Sequence, residues 1–399
     1  MVKRWDRTWS TSTALLPIYL AGLSHFTLEL CHQFMPVLYP LLTAQMGLSF
    51  TQIGLLALAN NLVTSTLQPF LGFLPERYGA ERVVAISILW LGLLMGLVSF
   101  APNFPILVIL IALASLGSAA FHPAGVVNVT GQTAARRGTA IAIFSVGGSL
   151  GAALSPAWLL LWLDKLGTRS SLMVIPVALT VALLVYYQSQ RPVAPSAVHH
   201  SSTADAAHKG YLLGLILIVV SVMARAWFQV ALVTYLPAWV QSNGGSLAQG
   251  GQLLSVLLFG AGVGSWLGGV LTDRLGVWPV VMVTNLMLAP AYWLWLGAGP
   301  AVQIGLLALV GMALGANYSA CILLAHEAWP QRIALASGLV MGLAWAPAGP
   351  GASFTGYLAD HTSLATAMSA LVIPAVVAAL CVLFYRVGLR ARAVGCVPN

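Results

Sequence analysis

Three side chains near the start of the chain have the types and spacing for chemistry. His25, Glu29 and His32 follow one another at intervals of four and three residues, which puts them on roughly one face of a helix. An imidazole beside a carboxylate can relay protons, because imidazole titrates near neutrality. The same spacing, with Cys31 nearby, can also supply ligands to a transition metal, provided other helices contribute more donors such as His122. Hydrogen bonding between helices is the third use for such a cluster. Residue types alone leave all three open.

A second group sits far along the chain, where Arg225 interrupts another apolar run. Each of Glu29 and Arg225 costs about 2.5–3.5 kcal/mol at the centre of a bilayer, so such groups face a cavity or a partner. The expectation is that Glu29 takes up a proton, while Arg225 either pairs with it or holds an anionic group of a substrate. A guanidinium suits carboxylate or phosphonate because its planar fork donates two parallel hydrogen bonds. The competing reading is a permanent structural ion pair, which has little advantage over apolar packing.

These groups need elements to hold them, and composition says which. Of 399 residues, 59% are hydrophobic and only 7% charged, and mean hydropathy is +0.90. A soluble domain carries about a quarter charged residues, so this chain requires lipid around it. Apolar runs of spanning length recur. They predict helices at 14–43, 51–74, 83–101, 104–128, 138–163 and 170–189, then at 211–241, 249–272, 278–298, 300–326, 333–358 and 363–386. The basic start followed by an apolar run imitates a signal peptide. The run continues past Glu29 without a small-residue cleavage site, so it reads as the first span. Between the two sets, residues 190–210 are rich in Pro, Ser, Ala and His and read as a solvated linker, in which His199, His200 and His208 are either metal ligands or, as a flexible loop favours, solvated spacers. The expected organisation is a six-helix bundle over 1–189, the linker over 190–210, and a second bundle with a short basic tail over 211–399.

The net charge of +8 does not point to nucleic acid, because no aromatic residues interleave with the cations. Of the 17 Lys and Arg, all but Lys165, Arg169 and Arg225 fall in alternate loops or at the termini. That bias predicts both termini and the linker on the cytoplasmic side. The four cysteines are scattered, with no CxxC, so neither a disulfide framework nor a zinc knuckle is expected. No phosphate-binding Gly-rich loop with Lys and no Ser/His/Asp set is present, which excludes ATP-driven pumping by this chain alone and argues against an enzyme. No cofactor is expected.

The halves repeat. GFLPERYG at 72–79 recurs as GVLTDRLG at 269–276, and the same offset carries Pro40 onto Pro237 and aligns Glu29 with Arg225 to within one residue. Parallel repeats of six helices are the layout of many secondary transporters, with the substrate near midplane between the halves.

The repeated Gly-x-x-x-acid-Arg-x-Gly loop resembles the signature of the major facilitator superfamily. Ser24, His25 and Glu29, the Tyr39-Pro40 segment, Phe121-His122-Pro123, and Arg225, Trp227, Gln229, Thr234, Tyr235 and Pro237 extend the likeness. So do Ala336-Ser337-Gly338-Leu339 and the Gly356 to Asp360 segment. Together they resemble the fosmidomycin-resistance branch, whose members are mostly inner-membrane exporters of drugs or metabolites. The chain departs from the pattern at Glu29 and Glu76, where aspartate is usual, at His326, and at Pro347 and Pro350.

The resemblance implies an all-α membrane protein of twelve helices, functioning as a monomer by alternating access and moving a small molecule together with protons. It implies that helices 1, 4, 7 and 10 line the cavity. Among the polar groups of the apolar helices (Gln33, Asn61, Gln68, His122, Asn128, Gln229 and Asn317) that favours Gln33, His122, Gln229 and Asn317 as substrate contacts. Arg225 joins them, and Trp227 and Tyr235 are candidates for stacking. Glu76, Arg77, Asp273 and Arg274 become gating charges. Proton-coupled export of a small organic compound is the leading expectation. A metal or metallophore carrier using His25, Glu29, His32 and His122 is the alternative, and a membrane sensor that moves nothing is a distant third.

Overall fold

The computed structural model describes residues 12–131, 137–190, 212–329, 340 and 345–395. Every regular element among them is helical. Lipid explains this economy: a chain crossing hydrocarbon must satisfy its backbone polar groups internally, and a helix does so within one segment.

The helices are α1 (Ser12–Leu30), α2 (Met35–Met46), α3 (Phe50–Leu71), the short α4 (Leu74–Tyr78), α5 (Ala80–Gly96), α6 (Phe104–Gly131), α7 (Arg137–Leu166) and α8 (Val174–Ser189). The second group is α9 (Leu212–Ser242), α10 (Leu247–Leu275), α11 (Val277–Gly297), α12 (Pro300–Ala328), α13 (Ala348–His361), α14 (Leu364–Ala370) and α15 (Val372–Gly395). By length and composition, eight stretches among the described residues can cross a membrane. The linker expected at 190–210 lies outside the described residues from position 191, as do Ala336 to Leu339.

Three expected helices are interrupted: 14–43; 333–358, which is not α-helical at 345–347; and 363–386, which divides into α14 and α15 at Leu371. The run 14–43 divides into α1 and α2 at residues 31–34. Pro36, in the first turn of α2, has no N–H to return to the preceding turn. On the other side the freed carbonyl of Leu30 accepts from the Ser155 hydroxyl at 2.6 Å. The chain therefore bends where Glu29, His32 and Gln33 lie.

The repeat extends into backbone conformation. Gly47 and Gly244 both have positive φ (68° and 83°), as do Gly79 and Gly276 (87° and 83°). Ser49 and Ser246 each close a capping box, with Gln52 and Gln249, at the starts of α3 and α10.

Within the first group α1 packs on α7, and α3 and α5 pack on α6. Within the second, α10 and α11 pack on α12, and α9 lies against α15. Glycines allow the close approaches: a Cβ on Gly147 or Gly151 would strike the α1 backbone at Gly22 or Phe26. The groups meet where α3 runs against α13 and α7 against α10. At the ends of α3 and α13 remote from the termini the seam is tied. The Asp360 carboxylate accepts from the Phe50 and Thr51 backbone N–H groups, each at 2.8 Å, and from the Thr51 hydroxyl at 2.6 Å. A carboxylate from one half thus caps a helix N-terminus of the other.

Candidate functional site

The break in α1 and α2 carries the first cluster. His25 Nδ1 lies 3.0 Å from the carbonyl oxygen of Phe144 on α7. A carbonyl only accepts, so Nδ1 carries a hydrogen. The opposite nitrogen, Nε2, faces Glu29 Oε1 at 3.7 Å, an ion-pair contact longer than a hydrogen bond. Glu29 Oε2 accepts from Gln33 Nε2 at 3.0 Å. Both His25 and Glu29 retain a small exposed area, 15% and 14% of their side chains. Gly148 makes the space: a Cβ there would overlap the His25 ring, which stacks on Phe144 at 4.3 Å. His122, on α6, meets the His25 ring edge-on at 5.6 Å.

Among the described residues no group of three or more His, Cys, Asp or Glu is placed to hold a metal ion. His32 turns away, its Nε2 2.8 Å from Asn60 Oδ1, an atom that also accepts from Ser115. Cys31 points its thiol at the carbonyl of Val174.

The second cluster surrounds Arg225, 1% exposed and mid-length in α9. Its Nη1 donates to Gln229 Oε1 at 3.0 Å and to the Leu314 carbonyl of α12 at 3.3 Å. Its Nε and Nη2 have no hydrogen-bond partner among the described residues. The guanidinium lies 5.6 Å from the centre of the Trp345 ring, which meets Tyr318 edge-on at 5.9 Å.

The expected pairing of Glu29 with Arg225 is therefore absent from this conformation. Each finds its contacts inside its own half, Glu29 with His25 and Gln33, Arg225 with Gln229 and α12. Other expected substrate contacts are also otherwise engaged. Asn317 donates to Thr284 Oγ1 at 2.9 Å and accepts from Cys321 at 2.9 Å, buried between α11 and α12. It ties helices together. Trp227 donates to Thr355 at 3.0 Å and packs against Gly351 and Phe354. The Tyr235 hydroxyl bridges the carbonyls of Phe50 and Ala352, both at 2.9 Å, and so belongs to the seam between halves.

The charges expected to gate, Glu76, Arg77, Asp273 and Arg274, are exposed and form no ion pair among the described residues, although Arg77 lies over the Tyr78 ring. The tie in this conformation is at the opposite end, through Asp360. Sequence reasoning did not single out Asp360, Trp345, Tyr318 or Asn60 for roles.

Comparison with known proteins gives these clusters a context. Residues 18–350 match the Major Facilitator Superfamily. The chain is 31% identical over 372 residues to an MFS-type transporter of Bacillus subtilis (strain 168), YfnC, covering 90% of each. It is 27% identical over 350 residues to the fosmidomycin resistance protein of Escherichia coli (strain K12), covering 86% of each. Its fold is similar to that of a bacterial homolog of the human lysosomal transporter Spinster in an inward-facing, occupied conformation, with a TM-score of 0.77 at 16% identity over 94% of this chain and 96% of that one. The nucleoside transporter NupG superposes with a TM-score of 0.75 at 13% identity, over 93% of this chain and 99% of that one. The chain is a multi-pass membrane transporter and belongs to the major facilitator superfamily.

Proposed function

We propose that this transporter is a proton-coupled antiporter that exports a small organic compound or drug by alternating access, working as a monomer in the inner membrane with both termini in the cytoplasm. The observation that carries proton coupling is the His25–Glu29 contact at the break in the first span. Its two groups exchange one proton's worth of charge, each keeps a small exposed area, and Nδ1 is anchored to the Phe144 carbonyl of α7. A change of protonation alters the charge at the bend by one unit and is felt by two helices at once. Support for export comes from the relative named for fosmidomycin resistance.

Alternating access requires a seam that opens at each end in turn. The Asp360 and Tyr235 ties close the end remote from the termini, while the repeated loop charges at the other end stand unpaired by ion pairs among the described residues. This matches an inward-facing state, the state of the Spinster homolog that the fold is similar to. In the reverse state, Glu76, Arg77, Asp273 and Arg274 would form the tie.

The test is transport in proteoliposomes, followed as proton flux on addition of candidate solutes, for wild type and Glu29→Gln. Loss of solute-dependent proton flux in the variant is expected. Flux unchanged from wild type would remove Glu29 from the coupling step.

A further inference from the structure

The guanidinium of Arg225 presents a problem that the structure of the half around it does not solve. Arginine carries five N–H donors and stays protonated in proteins. Here Nη1 is used, but Nε and Nη2 are buried without a protein partner among the described residues. Trp345 Nε1, in the ring beside the guanidinium, is likewise buried without a partner. Glu29, the carboxylate expected to compensate Arg225, is held by His25 and Gln33. Donors thus gather with no acceptor, around a fixed positive charge, against two aromatic rings.

We propose that Arg225 and Trp345 form the receptor for an oxyanion head group, a carboxylate, phosphonate or sulfonate, and that Tyr318 and Trp345 cover an aromatic or apolar body attached to it. Nε and Nη2 project on one edge of the guanidinium plane, the edge that grips two oxygens in parallel. The indole N–H adds a third donor. Gln229, half-buried, holds the other edge and so fixes the plane. The inference rests on the transporter reading and narrows its cargo to organic anions.

Binding is measured at equilibrium, without a membrane gradient, so it is scored separately from proton coupling. Full-length protein in detergent is titrated with benzoate, phenylphosphonate and the neutral match benzamide, following tryptophan fluorescence and thermal stability. At least one anion is expected to bind wild type and raise its melting temperature, with benzamide inactive. Arg225→Gln is expected to weaken the anion about a hundredfold, through loss of two charge-assisted hydrogen bonds. Trp345→Phe keeps the ring, loses one donor, and is expected to weaken it about tenfold. It is also the check should Arg225→Gln fail to fold. Equal stabilisation by benzamide, unaltered affinity in Trp345→Phe, or no response to either anion would overturn the proposal. Solute-dependent proton flux with neutral compounds alone would overturn it too, while leaving the transporter reading intact.

Discussion

Glu29 and Arg225 stand at nearly equivalent positions in the two halves, one residue apart under the internal repeat, and their surroundings differ in kind. Glu29 lies beside a break between two helices, keeps 14% of its side chain exposed, and faces a histidine on its own helix. Arg225 lies within an unbroken helix, is 1% exposed, and has no carboxylate beside it. A carboxylate with an imidazole can adjust its charge by one proton. A guanidinium cannot, so the compensation for its charge comes from another molecule or from a changed arrangement of the protein. On the reading proposed above, the two halves of a duplicated fold divide the work, one taking a proton and the other an anion.

The strongest way to break this comparison is to give Arg225 an acceptor of its own. Gln229 Oε1 already accepts from Nη1 at 3.0 Å. Gln229→Glu is expected to neutralise the site, raise thermal stability and weaken benzoate or phenylphosphonate by about a hundredfold. Undiminished anion binding in that variant would mean that the charge of Arg225 is not what recruits the ligand.

On the other side, Gly148→Ala places a Cβ against the His25 ring. Displacing the ring is expected to cost about 1–3 kcal/mol in stability and to shift the pH profile of proton flux, without changing anion affinity. Thermal unfolding and the two functional assays together check this.

A smaller effect is expected at the tie between the halves. Partial burial pushes the Asp360 pKa up, but hydrogen bonds from Thr51 and Phe50 outweigh it and hold the carboxyl below the usual range. A lowered pKa in the tied state means that the tie is strongest above the untied pKa and is lost as pH falls through the tied value. Asp360→Asn removes the charge and is expected to weaken the cap by about 0.5–2 kcal/mol. The readout is labelling of a cysteine introduced beside Phe50, which should increase in the variant and, in wild type, on acidification.

The smallest change belongs to Asn317. Its bonds join α11 to α12 rather than face a ligand. Asn317→Ala is expected to cost about 1 kcal/mol of stability and leave the anion dissociation constant unaltered.

The helices were largely legible because lipid imposes long apolar runs on any chain that crosses it. The break at 31–34 was not. Prolines at 69, 123, 156, 237 and 290 lie inside continuous helices. Pro36 marks a break in company with a hydroxyl from α7 that takes the Leu30 carbonyl, and such a contact between distant segments leaves no local trace. The tie at Asp360 spans 310 positions and escapes a local reading for the same reason. Glu29, His25 and Arg225 stood out because ionisable groups are rare in apolar runs. Their partners did not, since which way a side chain turns depends on its neighbours. Trp345 is one of 13 tryptophans, and only its place beside Arg225 distinguishes it.

The division of labour is tested most directly by the dissociation constant of the better-binding anion, benzoate or phenylphosphonate, in Glu29→Gln set against Arg225→Gln at one pH. The account predicts near wild-type affinity in the first and a loss of about a hundredfold in the second. Equal losses in both would contradict it, since the carboxylate and the guanidinium would then act as one site.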